Sequence, residues 1–345
     1  MSNLKASMAG SLRKQKYGLW DAVLLAMLAA TYFFGDLYYA LAVSVVIMII
    51  FALSLDIAQG YGGIETLGHA AFFGAGAYGA GLYAMHVTSE PLSGLAVGAA
   101  CGAVAGLISG LFVVRAKGLT QIMLTLASAT MLYELANTAK KFTMGDDGLT
   151  GYSIAPVLGH FSFDIFGRTA FVYASVVMIA VYALLKHFVN SPLGLVTQGI
   201  RENSVRMRLI GVPVYWRLLL VYTLAAAVAG IAGALSAQVN SIVGMDALGF
   251  TLSANVLVML ALGGTGRLYG AFFGAIVFMI LSDRAAAIDP TNWLAALGVL
   301  LILVVRFAPD GIAGLLQRLS AGWGKKASSK SDKAAQAKDR GESAA

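Results

Sequence analysis

Charge is scarce in this chain of 345 residues, because Asp, Glu, Lys and Arg together make up 12% of it, against roughly 25% in a typical soluble domain. Cysteine is nearly absent: Cys101 is the only one, so no internal disulfide can form. The sequence also lacks a GxxxxGK(S/T) phosphate-binding loop, a Gly-x-Ser-x-Gly nucleophile elbow and an HExxH zinc motif. These absences argue against a soluble domain, against the common serine and zinc hydrolases, and against ATP hydrolysis by the chain itself.

Apolar residues are abundant instead, at 59% of the chain, with 40 glycines and a mean hydropathy of +0.78. Lipid cannot solvate charge, and small residues let membrane helices approach closely. A helix needs about 20 apolar residues to cross the hydrocarbon core. The sequence therefore predicts an all-α polytopic membrane protein with about ten transmembrane or re-entrant helices. They are predicted near residues 19–35, 38–58, 67–87, 92–114, 118–139, 169–189, 216–237, 249–264, 267–286 and 291–307.

Basic residues flank these predicted spans unevenly. They cluster before the first span and again after Arg306. Because basic segments resist translocation, both termini are predicted to be cytoplasmic, which requires an even number of crossings. Ten spans then place Arg115, Lys117 and residues 190–215 inside, and Lys140 and Lys141 outside.

The composition divides the chain into three regions. We expect a basic cytoplasmic segment at 1–18, a transmembrane domain at 19–318 that contains the loop 190–215, and a tail at 319–345. The tail has almost no large apolar side chains to bury, so it is predicted to be disordered.

The loop "SPLGLVTQGIRENSVRMRLIGVPV" at 191–214 is too charged to cross a membrane. Its apolar residues recur every three or four positions, which predicts a short amphipathic helix on the cytoplasmic surface. Ser191-Pro192 is a helix start and Gly211 with Pro213 a helix stop. Two interpretations remain open at this point. The helix either rests on lipid head groups or docks on a soluble partner through Arg201, Glu202 and Asn203.

This loop resembles the cytoplasmic loop of permeases from branched-chain amino-acid ABC transporters, the LivM-like group. The family pattern there is roughly Ser-x-x-Gly-Arg-x-x-x-Ala-Ile-Arg-Glu-Asn-x-x-x-Ala-x-x-x-Gly. Four further blocks are similar to the same family and occur in order along the chain. They are "GGIETLGHAAFFGAGAY" at 62–78, "TMGDDGLTGY" at 143–152, "LGGTGRLYGAFFGA" at 262–275 and "FAPDGIAGLL" at 307–316.

The resemblance implies a permease subunit of an importer in the bacterial inner membrane, not an enzyme. Such a permease pairs with a second permease and binds two ATPase subunits, which hold ATP and Mg. It receives a small polar solute from a periplasmic binding protein, and the chain itself is expected to hold no cofactor. The resemblance implies that the loop couples the permease to the ATPase. The residues expected to do so are Gly194, Ile200, Arg201, Glu202, Asn203, Arg206 and Gly211, all of which except Arg206 match the family pattern.

Polar residues inside predicted spans are candidates for the substrate pathway, because they are costly in lipid. Glu65 and His69 are four residues apart and would share a helix face, although a structural hydrogen bond explains such a pair as well. Two ligands are too few for a metal site. A polar stripe on the fifth span either lines a watery cavity or bonds helices together. The pathway candidates are Glu65, Thr66, His69, Gln121, Thr125, Glu134, Asn137 and Asn255.

The family usually has Gln, an apolar residue and Ser where this chain has Ile64, Glu65 and Thr66. Branched-chain or other amino acids are the expected solutes, but Glu65 leaves urea, short amides and aromatic acids open. A different class is also open: an ion-coupled secondary transporter or channel would work without an ATPase and would use Glu65, His69 and Glu134.

Overall fold

A computed structural model describes residues 26–28, 31–32, 39–156, 167–288 and 298, apart from the side chains of residues 141 and 146. The regular structure within these ranges is helical, and an isolated β-bridge joins Leu149 to Val243. The first long helix continues into a π-helical turn at Asp56–Tyr61. The α-helices are α1 Tyr39–Leu55, α2 Ala70–His86, α3 Pro91–Val113, α4 Leu119–Thr138, α5 Lys140–Thr143, α6 Arg168–Asn190, α7 Pro192–Glu202, α8 Ser204–Leu209, α9 Val214–Asn240, α10 Phe250–Gly263 and α11 Leu268–Ile288.

Five helical segments among the described residues are long and apolar enough to cross a membrane: Tyr39–Tyr61, Pro91–Val113, Arg168–Asn190, Val214–Asn240 and Leu268–Ile288. Each coincides with a predicted span to within a few residues. The prediction of an all-α, multi-pass membrane protein is confirmed.

The other predicted spans are not among these five segments. Helices α2 and α10 are shorter, with 17 and 14 residues. Helix α4 has 20 residues but is more polar than the five. The spans predicted at 19–35 and 291–307 lie mostly outside the described residues, and the segments 1–18 and 319–345 lie wholly outside them.

Helix α9 forms the centre of the described bundle and packs on α2 and α3 through small residues. Gly230 faces Gly98 and Gly102 of α3, and Gly76 of α2 faces Gly230 in turn. A Cβ atom at Gly230 would collide with the carbonyl oxygen of Gly98. The absence of a side chain therefore permits backbone-to-backbone contact among three helices, as is common in membrane proteins.

The loops segregate to two ends of the bundle as the span order predicts. At one end, Lys117 donates to Ser204 Oγ at 3.3 Å, and Arg201 donates to the carbonyl oxygen of Gly60. At the other end, Leu149 pairs with Val243, and the Ala155 N–H donates to the Ser89 carbonyl at 3.0 Å. Segments predicted to share a side thus lie together.

Candidate functional site

The loop between α6 and α9 is an elbow of two helices, α7 and α8. Ser191 caps α7, as the sequence predicts, by accepting the Gly194 N–H at 3.3 Å. Asn203 is extended, with φ −156° and ψ 93°, and its Oδ1 accepts the Arg206 N–H at 2.9 Å. The prediction of one continuous amphipathic helix is wrong, because Asn203 ends α7 and caps α8.

Two of the residues assigned to ATPase coupling are buried and hold α7 against the bundle. Ile200 is 3% exposed. A Cβ atom at Gly194 would overlap the carbonyl oxygens of Phe188 and Val189 at the end of α6. Gly194 and Ile200 therefore hold the elbow against the bundle and do not form its outer surface.

The outward side of the elbow carries large apolar side chains. Leu209 is 83% exposed, Ile210 67% and Val205 62%, beside the exposed Arg206 and Arg208. We call these five residues the elbow surface. Exposed apolar patches with a polar rim are typical of protein or membrane contact sites. Glu202, Asn203 and Gly211 are exposed next to it.

Arg201 differs from its neighbours because its guanidinium turns towards the bundle. It donates to the carbonyl oxygen of Gly60 in the π-helical turn, and its side-chain carbons lie over Gly63. Arg201 as a whole is exposed, as Glu202 and Asn203 are, but its guanidinium contacts the bundle.

Residues 62–69 between the π-helical turn and α2 have no regular structure, yet most of them are buried. The Leu67 N–H donates to Thr125 Oγ1 at 3.2 Å, and Gly68 packs on the Thr125 backbone of α4. We call residues 62–69 the unwound segment. Irregular backbone inside a membrane protein is tolerated where protein or a watery cavity satisfies its polar groups.

His69 and Glu65 lie at different places in the unwound segment. His69 Nε2 lies 2.8 Å from Ser54 Oγ, and the ring stacks on Phe51 with centroids 5.6 Å apart. Glu65 is exposed. The predicted face shared by Glu65 and His69 is not formed, because α2 begins only at Ala70.

The predicted stripe on α4 splits between two faces of the helix. Gln121 and Thr125 are buried, whereas Glu134 is exposed. Nine residues are two and a half turns of an α-helix, which places Glu134 opposite Thr125. Asn137 is half-buried, and its Oδ1 has no hydrogen-bond partner in the described part of the chain.

The remaining pathway candidates are Thr66 of the unwound segment and Asn255 of α10. Thr66 is buried and Asn255 half-buried. Ser253, which sequence reasoning missed, accepts the Ala70 N–H at 2.9 Å and so closes the first turn of α2. Its position two residues before Asn255 on α10 is visible in the sequence, but its partner 183 residues away is not.

A family model described as branched-chain amino acid transport system / permease component matches residues 37–305. The chain belongs to this permease family. It is 26% identical to the high-affinity branched-chain amino acid transport system permease protein LivM of Salmonella typhimurium, over 88% of this chain and 76% of that protein.

Two other relatives match shorter stretches of the permease. The permease protein LivH of Escherichia coli is 28% identical over 46% of this chain and 52% of its own length. The fructose import permease protein FrcC of Rhizobium meliloti is 29% identical over 40% of this chain and 41% of its own length. No solved structure matches the chain significantly.

Proposed function

We propose that this permease is a membrane-spanning subunit of an ABC importer in the bacterial inner membrane, and that partner ATPase subunits dock on its elbow surface. The observation that carries the proposal is the exposure of Val205, Leu209 and Ile210 beside Arg206 and Arg208 at one end of the bundle. The sequence has no nucleotide-binding loop of its own, so the energy must come from another subunit. The elbow and both termini are then cytoplasmic, in a bundle of about ten spans.

The partners follow from the same assignment. The relatives LivM and LivH are both named as permease proteins of a high-affinity branched-chain amino acid transport system. We infer that this chain pairs with a second permease, receives solute from a periplasmic binding protein and holds no cofactor itself. ATP and Mg belong to the ATPase subunits.

We infer that the solute is small and polar, with branched-chain or other amino acids first and urea, short amides or aromatic acids as alternatives. Exposed carboxylates of the unwound segment and of α4, Glu65 and Glu134, support a watery pathway along these two elements. Glu134 lies one turn before the end of α4, where a carboxylate can reach water more readily than at the centre of a span. Competition by each solute class for receptor-dependent uptake distinguishes them, and Glu65→Gln is expected to lower that uptake.

The docking proposal is tested by reversing the basic rim of the elbow surface. Arg206→Glu with Arg208→Glu is expected to weaken co-purification of the ATPase subunits and to lower solute-stimulated ATP hydrolysis in proteoliposomes. Lys140→Glu is the matched control, since it reverses an exposed charge at the other end of the bundle. Normal assembly and hydrolysis by the double variant would refute docking at this surface. Uptake by the chain alone in liposomes without ATP would instead favour an ion-coupled carrier.

A further inference from the structure

A buried carboxylate lies at the end of the first long helix, next to the elbow. Asp56 is fully buried and begins the π-helical turn. Its Oδ1 accepts the N–H of Gly266 at 2.6 Å, in the turn between α10 and α11. The Arg201 guanidinium donates to the carbonyl oxygen of Gly60 in the same π-helical turn. A buried carboxyl group is costly without hydrogen-bond partners, so Asp56 depends on the Gly266 N–H.

Two glycines let the three segments meet at this point. A Cβ atom at Gly60 would overlap Asp56 Oδ1 and lie 2.5 Å from the Gly266 nitrogen. Gly266 has φ +77°, and a Cβ atom there would lie 2.8 Å from Arg201 Nη1. A side chain at Gly60 would therefore push the α10–α11 turn away, and the positive φ at Gly266 favours glycine there.

The contacts form a chain from the elbow into the bundle. Arg201 of α7 donates to the Gly60 carbonyl oxygen, and Gly60 packs on Asp56. Asp56 in turn accepts from Gly266, 210 positions away in sequence. We call Asp56, Gly60, Arg201 and Gly266 the Asp56 junction. It ties the elbow to α1 and to the α10–α11 turn at once.

The junction also has unused hydrogen-bonding capacity. Asp56 Oδ2, Gln59 Oε1 and Arg267 Nη1 are buried without a hydrogen-bond partner in the described part of the chain. Buried polar atoms of this kind are normally satisfied. Two acceptors of the π-helical turn and one donor of the α10–α11 turn are therefore available for a second arrangement of the junction.

We propose that the Asp56 junction transmits movement of the elbow to α1 and to the α10–α11 turn, with Asp56 and Arg201 as positioning residues. The proposal rests on the proposed function, because it requires an ATPase that moves the elbow. It assigns Arg201 to transmission within the permease, whereas Arg206 and Arg208 contact the ATPase. Variants of Arg201 should therefore lose stimulation with the ATPase still bound, whereas variants of Arg206 should lose ATPase binding.

The test uses the complete transporter in proteoliposomes and measures three quantities: co-purification of the ATPase subunits, solute-stimulated ATP hydrolysis and solute uptake. Arg201→Gln and Asp56→Ala are expected to keep the ATPase bound but to lose at least about fivefold in stimulation and in uptake, the lower end of usual coupling effects. Arg206→Gln is the contrasting variant, and it is expected to weaken co-purification itself.

Conservative variants separate transmission from simple misfolding. Asp56→Asn keeps an oxygen that can accept the Gly266 N–H, so it is expected to retain more stimulation than Asp56→Ala at equal yield and equal thermal midpoint. Loss of co-purification in Arg201→Gln would overturn the proposal, since Arg201 would then be a docking residue. Unchanged stimulation in both Arg201→Gln and Asp56→Ala would overturn it too. If the wild-type chain binds no ATPase, the proposed function fails instead.

Discussion

At the scale of single residues, the hydroxyl group of Ser54 joins α1 to the unwound segment. This hydroxyl lies 2.6 Å from the Phe51 carbonyl oxygen and 2.8 Å from His69 Nε2. His69 is 1% exposed. The contact therefore joins α1 to the unwound segment.

Replacing Ser54 by Ala is expected to destabilise the permease by about 1–3 kcal/mol, because a buried ring nitrogen loses its partner. The thermal midpoint in detergent measures the change. Ser44→Ala is the matched control on the same helix, since Ser44 Oγ only donates to the Ala40 carbonyl one turn earlier. Equal midpoints for the two variants would show that the Ser54–His69 contact contributes nothing.

At the scale of elements, the elbow depends on a cap that interrupts an otherwise continuous apolar pattern. Asn203→Ala removes the side-chain oxygen that accepts the Arg206 N–H. We expect this change to lower the stability of α8 by about 1 kcal/mol, a usual value for the loss of a helix cap. Hydrogen exchange at residues 204–209 should then accelerate several-fold. Asn203→Asp keeps an acceptor and should exchange at nearly the original rate, and equal exchange in both variants would contradict the capping role.

The close contact of α2, α3 and α9 is a second element-scale feature with a direct test. Gly230→Leu is expected to lower the free energy of unfolding by about 1–3 kcal/mol, the usual range for overpacking. The reason is that no space exists beside the Gly98 carbonyl oxygen. Yield and thermal midpoint after detergent extraction measure it. Ala227→Leu is the control, at a half-exposed position one turn earlier on α9. A midpoint for Gly230→Leu equal to that of the control would contradict the packing account.

At the scale of the whole molecule, composition predicts the fold class and five of the ten proposed spans, because each crossing needs its own run of apolar residues. The start of α7 is also predictable, because the adjacent residues Ser191 and Pro192 indicate it. The Asp56 junction is not predictable, since one carboxylate in an apolar run does not reveal a partner more than 200 positions away. Asn203 was interpreted as part of a continuous helical stripe, although its capacity to cap the next helix is also a local signal.

The sequence also predicts part of the candidate site. The charge of residues 190–215 identifies the loop, and its resemblance to the permease family points to ATPase coupling. The separate roles proposed for Arg201 and Arg206 depend on the direction of each side chain, which helical periodicity does not give once α7 ends at Glu202. Helical periodicity fails in the same way for Glu65 and His69, because the segment that contains them is not helical.

The central claim is that an ATPase acts on the elbow surface, and site-directed cross-linking tests it most directly. In a Cys101→Ala chain, Leu209→Cys carries a photo-activated cross-linker within the complete transporter, and Lys140→Cys carries it at the other end of the bundle. The account predicts that the probe at position 209 captures a subunit whose peptides include a GxxxxGK(S/T) loop, while the probe at position 140 does not. Capture of lipid alone from position 209, with the ATPase present and active, would contradict it.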